Sequence, residues 1–177
     1  MSTPTALWQP TLVGTRVTLR PIVADDFDAL FAAASDPAIW EQHPDPLRWQ
    51  RARFEPYFQG AIESGGGLVV IDARDGAIVG SSRFYDARPA VRSVAIGYTF
   101  ITRAHWGTGT NSEMKALMLA HAFQHVDSVV FHVGPLNLRS QRAVGKLGAR
   151  FEGVEDVLVG GLMSPRNVYR LDKPRTH

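Results

Sequence analysis

Arg103-Ala104-His105-Trp106-Gly107-Thr108-Gly109-Thr110-Asn111 is the stretch on which the reading of this chain turns. It follows Arg92 to Ile101, a run rich in β-branched and aromatic residues that reads as a strand. It precedes Asn111 to His125, where Met114, Leu117, Met118, His121 and Ala122 fall at helical spacing. The pattern is therefore strand, glycine turn, helix. Glycine lets the backbone turn sharply and approach a bulky anion. The first amides of the helix lack intrahelical acceptors, and the helix dipole favours negative charge there. Such a turn suits a pyrophosphate, although Gly-x-Gly also serves many strand-to-helix loops for steric reasons alone. No Gly-Lys-Ser/Thr follows, which excludes a Walker loop. A third glycine is missing and the motif lies late in the chain, which excludes a dinucleotide fingerprint.

Downstream, Val129 to Val133 reads as a short strand, and Asn137 to Leu147 as a short helix closed by Gly148. Asn137 and Ser140 share a face at its start; Asn137 equally suits an N-cap. Arg150 to Val159 and Arg166 to Leu171 read as a closing hairpin. Upstream, Leu68 to Ala73 and Ala77 to Tyr85 flank Asp75-Gly76, a hairpin signal. Val17 to Arg20 alternates as a strand. Asp25 is a plausible N-cap for a helix to about Ala34, with Phe27, Leu30 and Phe31 on one face. Leu47 to Glu63 is a second helical region that Pro56 is expected to kink or split, and Gly65-Gly66-Gly67 ends it. Residues 1–10 read as a loose arm and 11–177 as one α/β domain.

Hydrophobic residues form 45% of the 177, enough for a core, and charged residues 20%, too few and too mixed for disorder. The formal charge of +2 and the lack of a basic block argue against a nucleic-acid partner. With no cysteine there is no disulfide scaffold, thiolate metal site or cysteine nucleophile. Met1 to Pro10 lacks the pattern of a signal peptide, and no apolar run approaches a membrane span. A cytoplasmic protein is the expectation.

Together these pieces resemble the GNAT N-acetyltransferase superfamily, closest to its Rim-type branch of ribosomal-protein and amino-group acetyltransferases. The resemblance runs from Leu12-Val13-Gly14-Thr15-Arg16-Val17-Thr18-Leu19-Arg20-Pro21 through Asp25-Asp26-Phe27-Asp28-Ala29-Leu30, Ile96-Gly97-Tyr98, His105-Trp106-Gly107-Thr108-Gly109 and Asn137-x-x-Ser140 to Lys146-Leu147-Gly148-Ala149. It implies a mixed, mostly antiparallel sheet with helices on both faces. Two parallel strands, ending near Thr102 and Gly134, would splay to admit the pantetheine arm of acetyl-CoA. The acyl donor would then contact Phe100, Ile101, Trp106, Gly107, Thr108, Gly109, Thr110, Asn111, Asn137 and Ser140. Two departures stand out. Ala104 occupies the position three before the first glycine where the family often has Gln or Arg. Ala95 precedes Ile-Gly-Tyr where an acid is frequent.

The implied chemistry is direct transfer of acetyl to a primary amine, with no metal. It needs a base, an oxyanion donor and a proton for the thiolate. Ser140 is the candidate for the last, though it equally caps or solvates its helix. Glu41 and His43, in the irregular segment after Trp40, are candidates for the base; Glu41 can instead pair with Arg48 or Arg51. His132 is read as a structural histidine rather than a cleft residue. Trp40, Arg83, Tyr85 and Tyr98 are the acceptor-site candidates; Arg83 and Tyr85 share a strand face and suit an acidic acceptor or a solvated surface. Glu113 and Lys115 are expected on the exposed face of their helix, with Lys115 in reach of phosphate. His121 and His125 are expected to pack rather than bind zinc, for want of a third ligand. A non-catalytic acyl-CoA sensor on the same fold is the alternative, and a homodimer stays open.

Overall fold

The structure, a computed structural model, describes residues 7–159 and 162–175. Eight strands form one sheet: β1 (Leu12–Val13), β2 (Val17–Pro21), β3 (Gly67–Asp72), β4 (Ile78–Arg88), β5 (Ser93–Ile101), β6 (Ser128–Val133), β7 (Arg150–Val159) and β8 (Leu162–Asp172). Five α-helices among the described residues accompany them: α1 (Phe27–Ala34), α2 (Pro37–Trp40), α3 (Arg51–Ser64), α4 (Thr110–Ala122) and α5 (Leu138–Lys146). The sheet order is β1-β2-β3-β4-β5-β6-β8-β7. Every neighbouring pair is antiparallel except β5–β6, which the α4 crossover makes parallel.

The two sheet faces carry separate cores. On one, α4 and α5 bring Met114, Met118, Ala122 and Val144 against Val17, Leu19, Val94, Ile96 and Phe131. On the other, α1–α3 pack Leu30, Trp40, Phe54, Tyr57 and Phe58 against Val69 and Phe100. A bulge in β5 decides which β5 residue faces which core. Pairs Arg83↔Gly97 and Ser81↔Phe100 set two steps on β4 against three on β5. Tyr98, with φ 53°, absorbs the extra residue. Val94 and Ile96 therefore face α4, whereas beyond the bulge Phe100 faces α1–α3 and Ile101 faces α4.

Several expectations change. The second helix begins at Arg51, because Leu47–Gln50 form a turn in which the Gln50 amide donates to the Leu47 carbonyl. Pro56 does not split the helix. Its ring removes one backbone bond, while Phe54, Tyr57, Phe58 and Ala61 remain a continuous buried stripe. Strand β8 starts at Leu162, four residues earlier than its sequence suggests. There the hairpin projects, with Leu158, Leu162 and Met163 exposed, so no burial pattern marks the strand. Residues 1–6 of the supposed arm lie outside the described residues. Trp8 packs on Phe84 at 5.1 Å and edge-on to His121 and His125, and His121 Nε2 donates to the Leu7 carbonyl.

Candidate active site

The parallel pairing of β5 and β6 covers only Ser93↔Ser128, Val94↔Val129 and Ala95↔Val130. Beyond it β5 continues to Ile101 on β4 alone, and β6 to Val133 on β8 alone. The two strands part there, opening the sheet next to the bulge. The structure thus contains the splayed pair, at the strands named from the sequence.

At the far end of β5, residues 103–109 turn into α4. Thr102 Oγ1 bonds His105 Nδ1 at 2.8 Å, and His105 Nε2 lies 2.9 Å from an Asp72 carboxylate oxygen. Hydrogen bonds from the Arg74 side chain and from His105 hold the Asp72 carboxyl far below the usual carboxylate range. Arg103 pairs with Asp36, and the Trp106 indole donates to the Ile101 carbonyl at 2.9 Å. This clamped turn delivers Gly107 (φ 70°) and Gly109 (φ 89°), both left-handed, where only glycine is unstrained. Gly109 is the N-cap of α4 and offers no side chain, so the amides at Thr110 and Asn111 are not capped from within the chain. The Thr108 hydroxyl donates to the His105 carbonyl and pairs with that of Thr110.

Two cations stand beside this turn in place of one at Ala104. A Cβ on Gly109 would lie 3.3 Å from Arg16 Nε. The Arg139 guanidinium stacks 3.8 Å above the Trp106 ring. Nothing in the linear sequence marks either arginine, because they reach the turn from the β1–β2 connection and from α5 respectively.

At the start of α5 the Asn137 side chain accepts the Ser140 amide at 3.2 Å, so Asn137 is the cap and Ser140 contributes its backbone to that bond. The segment after α2 crosses towards this helix. Gln42 Oε1 accepts the Arg139 amide at 3.1 Å, and Pro44 lies against Gly134. Glu41 is exposed; its expected partners pair elsewhere, Arg51 with Glu55 and Arg48 with Asp45. His43 stacks edge-on to Trp40, its Nδ1 accepts the Asp45 amide, and its Nε2 lies 3.4 Å from Arg48 Nη1. Burial, then the charges of Arg48 and Arg166, push its pKa down to about 3. Trp40 is fully buried and donates its indole N–H to the Ala34 carbonyl, so it supports the site from within the core.

A second group spans the opening itself. The Tyr85 ring leaves β4 and crosses β5 at Gly97, where a Cβ would meet it at 3.1 Å. Its hydroxyl reaches His132 Nδ1 on β6 at 2.7 Å, and His132 Nε2 lies 3.9 Å from Glu155. Burial raises the Tyr85 pKa and lowers that of His132, so both are neutral near pH 7. His132, Ala95, Asp86 and Glu155 line one small cavity on this face. Cross-strand pairing puts Arg83 and Tyr85 on the same face, opposite Gly97 and Ala95.

One helix residue is not where it was expected. Lys115 is 6% exposed and its ammonium donates to Thr99 Oγ1 at 2.7 Å, facing the sheet and not phosphate. Burial lowers its pKa to about 7. Glu113 accepts the amides of Thr15 and Arg16, tying the β1–β2 turn to α4. The covered face of α4 is wider than the periodicity implied, because it also takes in Thr110, Lys115 and Leu119. Among the described residues, no group of three or more His, Asp or Glu could hold a metal. No described helix is long and apolar enough to cross a membrane.

Comparison with known proteins agrees with this geometry. The chain is 30% identical over 110 residues to "Probable N-acetyltransferase YjcK" of Bacillus subtilis (strain 168), covering 59% of this chain and 60% of that protein. It thus spans about 60% of the length of the curated relative it matches. A GCN5-related N-acetyltransferase from Brucella melitensis superposes with a TM-score of 0.77 at 24% identity, over 93% of this chain and 79% of that one. Mycobacterium smegmatis RimJ, solved in complex with CoA-disulfide, superposes with a TM-score of 0.72 at 21% identity, over 94% and 88%. Both share the fold. Residues 16–150 match the family model described as acetyltransferase (GNAT) domain, and the chain belongs to that family.

Proposed function

We propose that this chain transfers an acetyl group from acetyl-CoA to a primary amine by direct attack within a ternary complex, as a cytoplasmic enzyme of the Rim-type branch whose catalytic domain is residues 11–177. The observation that carries this reading is the parting of β5 and β6 after Ala95↔Val130, with the Gly107–Gly109 turn at the far end of the same strand. The opening admits a narrow chain, and the turn offers backbone amides and the Arg16 and Arg139 cations to a diphosphate. The CoA-disulfide bound by Mycobacterium smegmatis RimJ supports coenzyme A as the occupant.

In this reading Trp106 to Asn111 hold the pyrophosphate, the β5 backbone at Phe100 and Ile101 flanks the pantetheine arm, and the Asn137 amide group contacts it. The amine approaches from the face carrying Tyr85 and Tyr98. As its nitrogen attacks the thioester carbon, the Tyr85 hydroxyl takes its proton while passing its own to His132, which Glu155 steadies. A backbone amide of the splayed β5 segment stabilises the oxyanion. The C–S bond then breaks and the Ser140 hydroxyl gives the departing thiolate a proton. His132 suits the base role better than Glu41 or His43: it is neutral and lies at the opening, whereas the His43 Nδ1 lone pair is engaged and Glu41 points to solvent.

Incubation with acetyl-CoA and a panel of primary amines, with product mass and free thiol both measured, tests the proposal. Acetylated product with equimolar coenzyme A supports it. Coenzyme A binding without product from any amine points to a sensor. A protein that binds no coenzyme A refutes both.

A further inference from the structure

Three guanidiniums are buried on the acceptor face: Arg48 at 6% exposure, and Arg83 and Arg166 at 7% each. Arginine stays charged in proteins, and burying a charge without a partner is costly. Yet the Arg83 head group donates only to the Tyr57 carbonyl, lies 3.8 Å over the Tyr98 ring, and leaves its Nε without any acceptor. Arg48 stacks on Tyr57 and Trp40 and also leaves Nε without a hydrogen bond. Its nearest carboxylate, Asp45 at 3.8 Å, is held at 3.1 Å by Arg53. Arg166 donates to Ser164 and Pro165 only. Neither Arg83 nor Arg166 has an acidic partner among the described residues. Arg48 and Arg83 both lie against the Tyr57 ring, at 4.8 and 5.6 Å from its centroid, and the charges of Arg48 and Arg166 both bear on His43.

We propose that the acceptor carries a carboxylate, seated among Arg48, Arg83 and Arg166 while its amine lies at Tyr85. The inference rests on the acetyl-transfer reading for the role of the amine. The Arg83 Nε–H, which has neither an acceptor nor a carboxylate beside it, offers a charge-assisted hydrogen bond to one oxygen of such a carboxylate. Arg83 and Tyr85 are two residues apart on β4, a separation of about 7 Å. The substrate class is therefore an amino acid or short peptide whose free carboxylate lies several bonds from the nucleophilic nitrogen.

The test uses matched acceptors: 4-aminobutanoate and 6-aminohexanoate against butylamine and hexylamine, and glycylglycine against glycylglycinamide. At least one carboxylate is expected to exceed its neutral match tenfold or more in kcat/KM, and Arg83→Gln to erase that preference through KM. In parallel, the Nε–H resonances of Arg48 and Arg83 are followed by 1H–15N spectroscopy in wild-type protein saturated with coenzyme A. They are expected to shift with the amino acids and not with the alkylamines. If the resonances shift but no amine is acetylated, the carboxylate subsite stands and the transfer reading fails. Equal kcat/KM within every pair overturns the subsite. So does a preference for 3-aminopropyl phosphate over 4-aminobutanoate, or the absence of both turnover and shifts.

Discussion

Replacing Lys115 by methionine is expected to stabilise the protein, by an amount that depends on pH. Methionine keeps the length and unbranched shape of the side chain between α4 and β5 but removes the ammonium. Burial lowers the folded pKa of Lys115 from 10.5 to about 7. Between these values the unfolded chain binds the proton and the folded chain does not, so stability rises with pH across this window. Below pH 7 both states are charged and the penalty is fully expressed. At about 1.4 kcal/mol per pKa unit, the penalty at pH 6 is at most about 5 kcal/mol, falling below about 1 kcal/mol at pH 10. Loss of the Thr99 bond offsets about 1 kcal/mol of the gain. Urea unfolding of wild type and variant at pH 6, 8 and 10 measures the gap. A gap that stays constant with pH, or a variant less stable at pH 6, would refute the claim that an uncompensated ammonium is buried there.

Gly109→Val places a β-branched residue at φ 89° with its Cβ 3.3 Å from Arg16; a strain of ~1–3 kcal/mol is expected, along with at least tenfold weaker coenzyme A binding by calorimetry. Asp72→Asn removes the charge that holds His105; coenzyme A affinity should fall about tenfold, the equivalent of one charge-assisted bond, while the circular dichroism spectrum stays unchanged. Ser140→Ala should lower kcat about tenfold or more and leave the coenzyme A dissociation constant unaltered; an unchanged kcat at saturating substrates removes Ser140 from the reaction.

Much of the frame is legible in the chain because its signals are local. The Asp75-Gly76 turn, the helical spacing from Met114 and the Asn137 cap depend on residues within a few positions of one another. Gly107 and Gly109 mark the turn into α4 for the same reason: a positive φ is a property of one residue. Pro56 does not split α3: helix propensity counts the lost hydrogen bond but not the buried stripe of Phe54, Tyr57 and Phe58 that continues past it. Lys115 misled because a charged residue reads as exposed, and only the packing of α4 against β5, where it meets Thr99, buries it.

By itself the sequence determined the order of the elements, the strand–turn–helix unit and the residue types available for chemistry, all of which follow from steric preferences acting over short stretches. Tertiary structure alone decided the rest. The Tyr98 bulge reversed which residues of β5 face each core, and where β5 and β6 part follows from pairing between segments some 35 residues apart. The Tyr85–His132 contact joins residues 47 positions apart, and the Arg48, Arg83 and Arg166 cluster draws on the α2–α3 segment, β4 and β8. Such meetings depend on the register and packing of distant strands, which no window of sequence contains.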